Sequence, residues 1–147
     1  MYALVAATLA ATVLAAACKP SKIGMSLYLE YAPKRALSGE DFNITLGIVN
    51  NENISKEVVL YSYVYRGSKA YSKSRKSNQL SLVLGPDEYT SIDLTNNAVA
   101  GLGGYKLKAI LEYDTNKSRE VTVPLNITNP YDYIPHRLEI SSLGFEE

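Results

Sequence analysis

The chain has 147 residues, 46% of them apolar, with 15 basic against 15 acidic side chains. That length supports one ordinary domain with a short appendage, and the apolar content is enough for a buried core. The zero formal charge argues against a nucleic-acid partner, which would demand a basic excess. One cysteine, Cys18, rules out an intrachain disulfide, and one histidine, His136, rules out a histidine-based metal cluster. Twelve tyrosines beside two phenylalanines and no tryptophan form an uneven aromatic set. Tyrosine suits half-buried strand faces, where the ring packs and the hydroxyl stays wet.

Residues 2–17, YALVAATLAATVLAAA, carry no charge, proline or glycine. Alanine and leucine favour helix, so the run predicts a helix about 24 Å long at ~1.5 Å per residue. A bilayer core is ~30 Å thick, so this is short for a permanent span and has the length of a signal-peptide core. Ala15, Ala16 and Ala17 lead into Cys18, and polarity changes abruptly at KPSK. The pattern AAAC resembles the lipobox of secreted lipoproteins, although Leu14 lies one position earlier than the leucine of that motif. The resemblance implies that the Cys18 thiol receives a diacylglycerol group and becomes the first mature residue. The competing reading keeps the helix as an uncleaved anchor or a filament-type core. Lys19 and Lys22 follow the run, which for a span favours a cytoplasmic C-terminus. A plain signal peptide or a core helix is a further possibility.

From Ser26 onward the period becomes two. SLYLEY opens the series, and FNITLGIV sets Phe42, Ile44, Leu46 and Ile48 on one face. EVVLYSYVYR places Val58, Leu60, Ser62 and Val64 on one side, with Val59, Tyr61, Tyr63 and Tyr65 opposite. Both faces of that strand are substantial, so it is central or its tyrosine file is a contact surface. QLSLVL, a GPDE turn and YTSIDL follow, and then GYKLKAILEY aligns Tyr105, Leu107, Ala109, Leu111 and Tyr113 with Lys106, Lys108 and Glu112 facing out. A DTNKS turn leads into REVTVPLNIT, in which Pro124 falls on the outward parity and suggests a sheet edge.

These signals predict an all-β fold, an antiparallel immunoglobulin-like sandwich of about seven strands preceded by the N-terminal apolar helix. The expected organisation is a signal or anchor over 1–18, a tether over 19–25, a sandwich over 26–128, and a tail or extra strand over 129–147. The order GEDFNITLGIVNN, LGPDEYTSIDL, GLGGYKLKAILEY resembles adhesion-type modules of archaeal and bacterial surface proteins. It is similar also to the C-terminal sandwich of transglutaminases. A sequon-bearing sandwich behind an apolar helix resembles, in addition, archaeal pilin-like subunits and stator proteins of the archaeal motility filament.

Four N-x-[ST] sequons, at Asn43, Asn53, Asn116 and Asn126, mark glycosylation sites if the domain lies outside the cell, or else exposed strand and turn positions. The basic run RGSKAYSKSRK holds Arg66, Lys69, Lys73, Arg75 and Lys76, and fits an anionic surface polymer, lipid headgroups or a solvated loop. Tyr61, Tyr63 and Tyr65 read as a carbohydrate or protein contact face, or as a file packed beneath a loop. GLGG at 101–104 reads as a flexible connection, with no helix or lysine of the phosphate-binding type after it. No Ser/His/Asp or Cys/His set and no facing carboxylate pair is apparent, so no catalysis, cofactor or metal is expected. The sequence thus points to a membrane-anchored surface sandwich that binds or supports another envelope component, a protein or a surface polymer. The alternative is a structural subunit or stator of a pilin-like filament.

Overall fold

A computed structural model describes residues 24–71, 75–98, 101–129 and 131. The expected helix over 1–18, with Cys18, lies outside the described residues, as do Lys73, His136 and all of the tail except Asn129 and Tyr131. Among the described residues no helix is long and apolar enough to cross a membrane.

Alternating apolar residues form β1 (Met25–Tyr31), β3 (Asp41–Asn50), β4 (Lys56–Arg66), β6 (Leu80–Leu84), β7 (Tyr89–Asn97), β8 (Gly103–Tyr113) and β9 (Lys117–Thr128). Two short strands, β2 (Arg35–Leu37) and β5 (Lys69–Ala70), add to the expected seven. One sheet runs β1-β3-β7, and the other runs β2-β9-β8-β4-β5 with β6 also on β4. The sandwich is not wholly antiparallel, because β2 pairs parallel with β9, Arg35 opposite Asn126 and Leu37 opposite Thr128. Strands of two or three residues are too short to show a period, and only the fold brings them to their partners.

The core is the sum of the inward parities. Ile44, Leu46 and Ile48 of β3 meet Leu60 and Val64 of β4 and Leu107 and Leu111 of β8 in one buried cluster. Full burial of each such side chain stabilises by about 1.5–3 kcal/mol. Met25 is 1% exposed and pairs with Asn50, so the first strand opens one residue before the expected start of the sandwich. The GLGG segment is likewise reassigned. Gly103 and Gly104 belong to β8, opposite Ile127 and Asn126 of β9, and Gly103 takes φ +118°, a conformation that glycine tolerates. Pro124 pairs with Lys106 on one side, while β2 joins β9 only from Asn126. At Pro124 the strand therefore has an open edge, where a missing N–H costs no ladder bond.

Asparagines fasten the loops. Buried Asn50 donates from Nδ2 to the carbonyls of Ile54 (2.7 Å) and Gly85 (2.9 Å) and accepts at Oδ1 from the Glu52 N–H (3.0 Å). Asn51 donates to Gly24 O and to Ser26 Oγ, both at 2.9 Å. The turns at Asp87, Asp114 and Asn116 take positive φ, which Asp and Asn accept more readily than bulkier residues.

Candidate interaction surface

β4 lies between β8 and the short strands, so its outward parity faces away from the sandwich core. Its register sets Tyr61 opposite Ile110, Tyr63 opposite Lys108 and Tyr65 opposite Lys106. The Tyr61 and Tyr63 rings stack at 6.5 Å and 15°, and Tyr63 meets Tyr65 at 5.9 Å and 56°. Of the two readings of the file, packing beneath a loop describes Tyr61 and Tyr63, each only 6% exposed, while Tyr65 is half-buried.

Cations cover the rings. Lys76 Nζ stands 4.9 Å from the Tyr61 centroid, Arg75 Cζ 5.4 Å from Tyr63, and Lys108 Nζ 5.4 Å from Tyr65. Nearby, Arg66 lies 3.9 Å over Tyr105 and Lys69 5.1 Å over Tyr71, which meets Tyr105 edge-on at 5.2 Å. Such contacts are worth about 0.5–1 kcal/mol each at exposed sites. The described cations of the basic run, Arg66, Lys69, Arg75 and Lys76, are thus exposed and lie against tyrosine rings. Lys106 and Lys108 belong to the same surface. The alternation of GYKLKAILEY turned them outward, but only the β4–β8 register shows that they reach the tyrosine file.

A polar knot fixes the segment that carries Arg75 and Lys76. Asn78 Nδ2 donates to Ser62 Oγ (2.8 Å) and to Thr95 O (2.9 Å), while its Oδ1 accepts from the Ser62 N–H (3.0 Å). Buried Asn96 donates to Ser62 Oγ at 2.8 Å. Ser62, the one buried polar residue on the inward parity of β4, therefore has a structural reason: it ties the segment to both sheets.

Charge organises the rest. Lys76 pairs with Glu112 at 2.9 Å, and Glu112 Oε1 accepts from the Tyr61 hydroxyl at 2.8 Å. Burial, then the bond to Glu112, pushes the Tyr61 hydroxyl up to about 12. The bonds from Lys76 and Tyr61 hold the Glu112 carboxyl below its usual range. Lys56 bridges Asp114 (2.9 Å) and Glu52 (3.0 Å), which holds the Asp114 carboxyl down and raises the Lys56 ammonium. Beyond Tyr61 the same face continues into an open groove lined by Ile54, Val59, Val83, Glu112 and Asp114.

The four sequon asparagines are all exposed, Asn43 and Asn126 on outward strand positions and Asn53 and Asn116 in loops. Asn43 Oδ1 accepts from Thr95 Oγ1 at 2.8 Å. Among the described residues no group of three or more His, Cys, Asp or Glu is placed to hold a metal.

No family model matches the sequence, and no curated protein matches it. Solved structures share the fold. The chain is similar to a beta-glucosidase from Listeria innocua at 13% identity and a TM-score of 0.50, over 71% of this chain and 16% of that one. It is similar also to a chain of the complex between Zinc 2-glycoprotein and Prolactin inducible protein from human seminal plasma. There the identity is 11% and the TM-score 0.50, over 72% of this chain and 95% of that one. At such identities the likeness establishes an immunoglobulin-like β-sandwich and nothing about activity.

Proposed function

We propose that this chain is a non-catalytic protein of the extracytoplasmic membrane face, anchored by a lipid on Cys18. Its sandwich binds or supports another envelope component. The observation that carries this reading is TVLAAACKPS, an uncharged run closed by small residues and a single cysteine, followed at once by polar chain. The β-sandwich begins at Met25. The intervening residues 19–24 reach at most about 21 Å when fully extended, so the domain is held close to the bilayer. One acyl chain binds a membrane only marginally, which favours a diacylglycerol anchor. The exposure of Asn43, Asn53, Asn116 and Asn126 suits glycosylation outside the cell, and the cation-covered tyrosine platform suits contact with a partner.

Growth of the native host with a labelled fatty acid tests the anchor. Wild-type chain incorporates label and Cys18→Ser does not. Wild-type chain without label overturns the reading and moves the weight to a retained helix, as an uncleaved anchor or the core of a filament.

A further inference from the structure

The outward face of the β1-β3-β7 sheet differs sharply from the platform on the other sheet. Its three strands, MSLYLEY, DFNITLGIVN and YTSIDLTNN, contain Glu30, Asp41 and Asp93 and not one lysine or arginine. A register shift between Leu29 and Tyr31 marks a bulge, which turns Glu30 and Tyr31 to the same side. Tyr28, Tyr31 and Tyr89 are 42%, 58% and 55% exposed there. The Glu30 carboxylate lies flat across Gly47, where an added Cβ would meet it at 2.6 Å. It accepts from the Tyr89 hydroxyl and from Ser91 Oγ. Asp93 accepts from Thr45 Oγ1 at 2.7 Å, and Asp41 accepts from Asn97 Nδ2. Among the described residues these donors to the three carboxylates are neutral. Among the described residues none of the three is in an ion pair.

The opposite holds at the far face. Glu112 and Glu120 already pair with Lys76 and Lys108. Arg66, Lys69, Arg75 and Lys106, at one end of the β4–β8 surface, have no carboxylate partner among the described residues. Among the described residues of a chain of zero formal charge, anions without an ion pair therefore lie among exposed tyrosines on one sheet, and cations without one lie among tyrosines on the other.

We propose that the partner of this domain is a second copy of itself, joined head to tail, the acidic tyrosine face of one copy on the cationic tyrosine end of the next. A Lys or Arg from one copy gains a carboxylate and an aromatic face together. Because the two patches differ, the contact is heterologous: it leaves one patch open at each end and extends into rows rather than closing as a dimer. Three strands of this length present roughly 30 Å by 15 Å, about half the ~800 Å² per partner of a standard interface. Association is accordingly weak in solution and gains from confinement of copies to one surface. The inference names the component left open by the surface-protein reading and rests on that reading only for this confinement.

The test is sedimentation velocity of the full chain in a non-ionic detergent, which reads the interface whether or not Cys18 is lipidated. At about 0.05 M salt the weight-average mass rises with concentration. At about 0.5 M, where the Debye length falls to roughly 4 Å, that rise is lost. Glu30→Lys with Asp93→Lys removes one patch, and Lys69→Glu with Lys106→Glu removes the other. Circular dichroism checks that both variants keep the sheet. Each alone stays at the mass of the unassociated species, and an equimolar mixture associates again, because the intact patches and the two reversed patches are both of opposite sign. Wild-type mass independent of concentration at low salt overturns the proposal, even if the acidic face then retains a neutral oligosaccharide. So does association that survives either reversal, or a mixture that fails to pair.

Discussion

Tyr61 shows how one side chain couples the sheet to its cover. Its ring lies beneath Lys76, and its hydroxyl donates to the carboxylate that Lys76 also holds. The folded chain grips the Tyr61 proton more tightly than the unfolded chain does, whose ordinary value is 10.0. Stability from this group is therefore complete below pH 10 and drains as pH climbs towards 12. Denaturant midpoints taken at about pH 9 and about pH 11.5 should fall by an amount worth about 1–2 kcal/mol, and Tyr61→Phe should remove that part of the loss. An equal loss in the variant contradicts the assignment. Glu112 acts at the other limb. Its folded value is depressed, so its contribution is present above the ordinary 4.5 and is lost as pH falls through the lower folded value.

At the scale of elements, loops that a sequence presents as polar spacers are fastened by single buried asparagines. Asn50 is fully buried and serves the ends of three segments at once. Asn50→Ala leaves those backbone groups without partners and should cost about 3 kcal/mol, read as a lower urea midpoint at unchanged slope. A loss under about 1 kcal/mol would mean that water replaces the amide. The sequence does not separate Asn50 and Asn51, which are structural, from exposed Asn53, because all three stand in one NNEN run. The long strands were legible because inward parity is written in β-branched residues and leucine at every second place. β2 and β5 were not, being two or three residues set by distant partners. The tyrosine file was legible as a file, and a loop over it was one of its two readings; the residues that fix the cover were not legible. That cover depends on Ser62, Asn78 and Asn96, which meet only when both sheets are in place. The β1 bulge that gathers Tyr28, Glu30 and Tyr31 is likewise a feature of register that period two hides.

For the whole molecule, charge is spread unevenly in a neutral chain: β1, β3 and β7 carry carboxylates and no lysine or arginine, while the other sheet carries both signs. Neutrality taken alone argued only against a nucleic-acid partner; it does not show where along the fold the charges fall. On the reading proposed above, an anchored domain with such faces would work by contact. Everything about that role depends first on where the chain is held. The direct measurement is the intact mass of the protein extracted from its native membrane, with fragmentation of its N-terminus. The account predicts a chain that begins at Cys18 and carries the mass of a diacylglycerol group. A chain that keeps residues 2–17 and an unmodified Cys18 would contradict it.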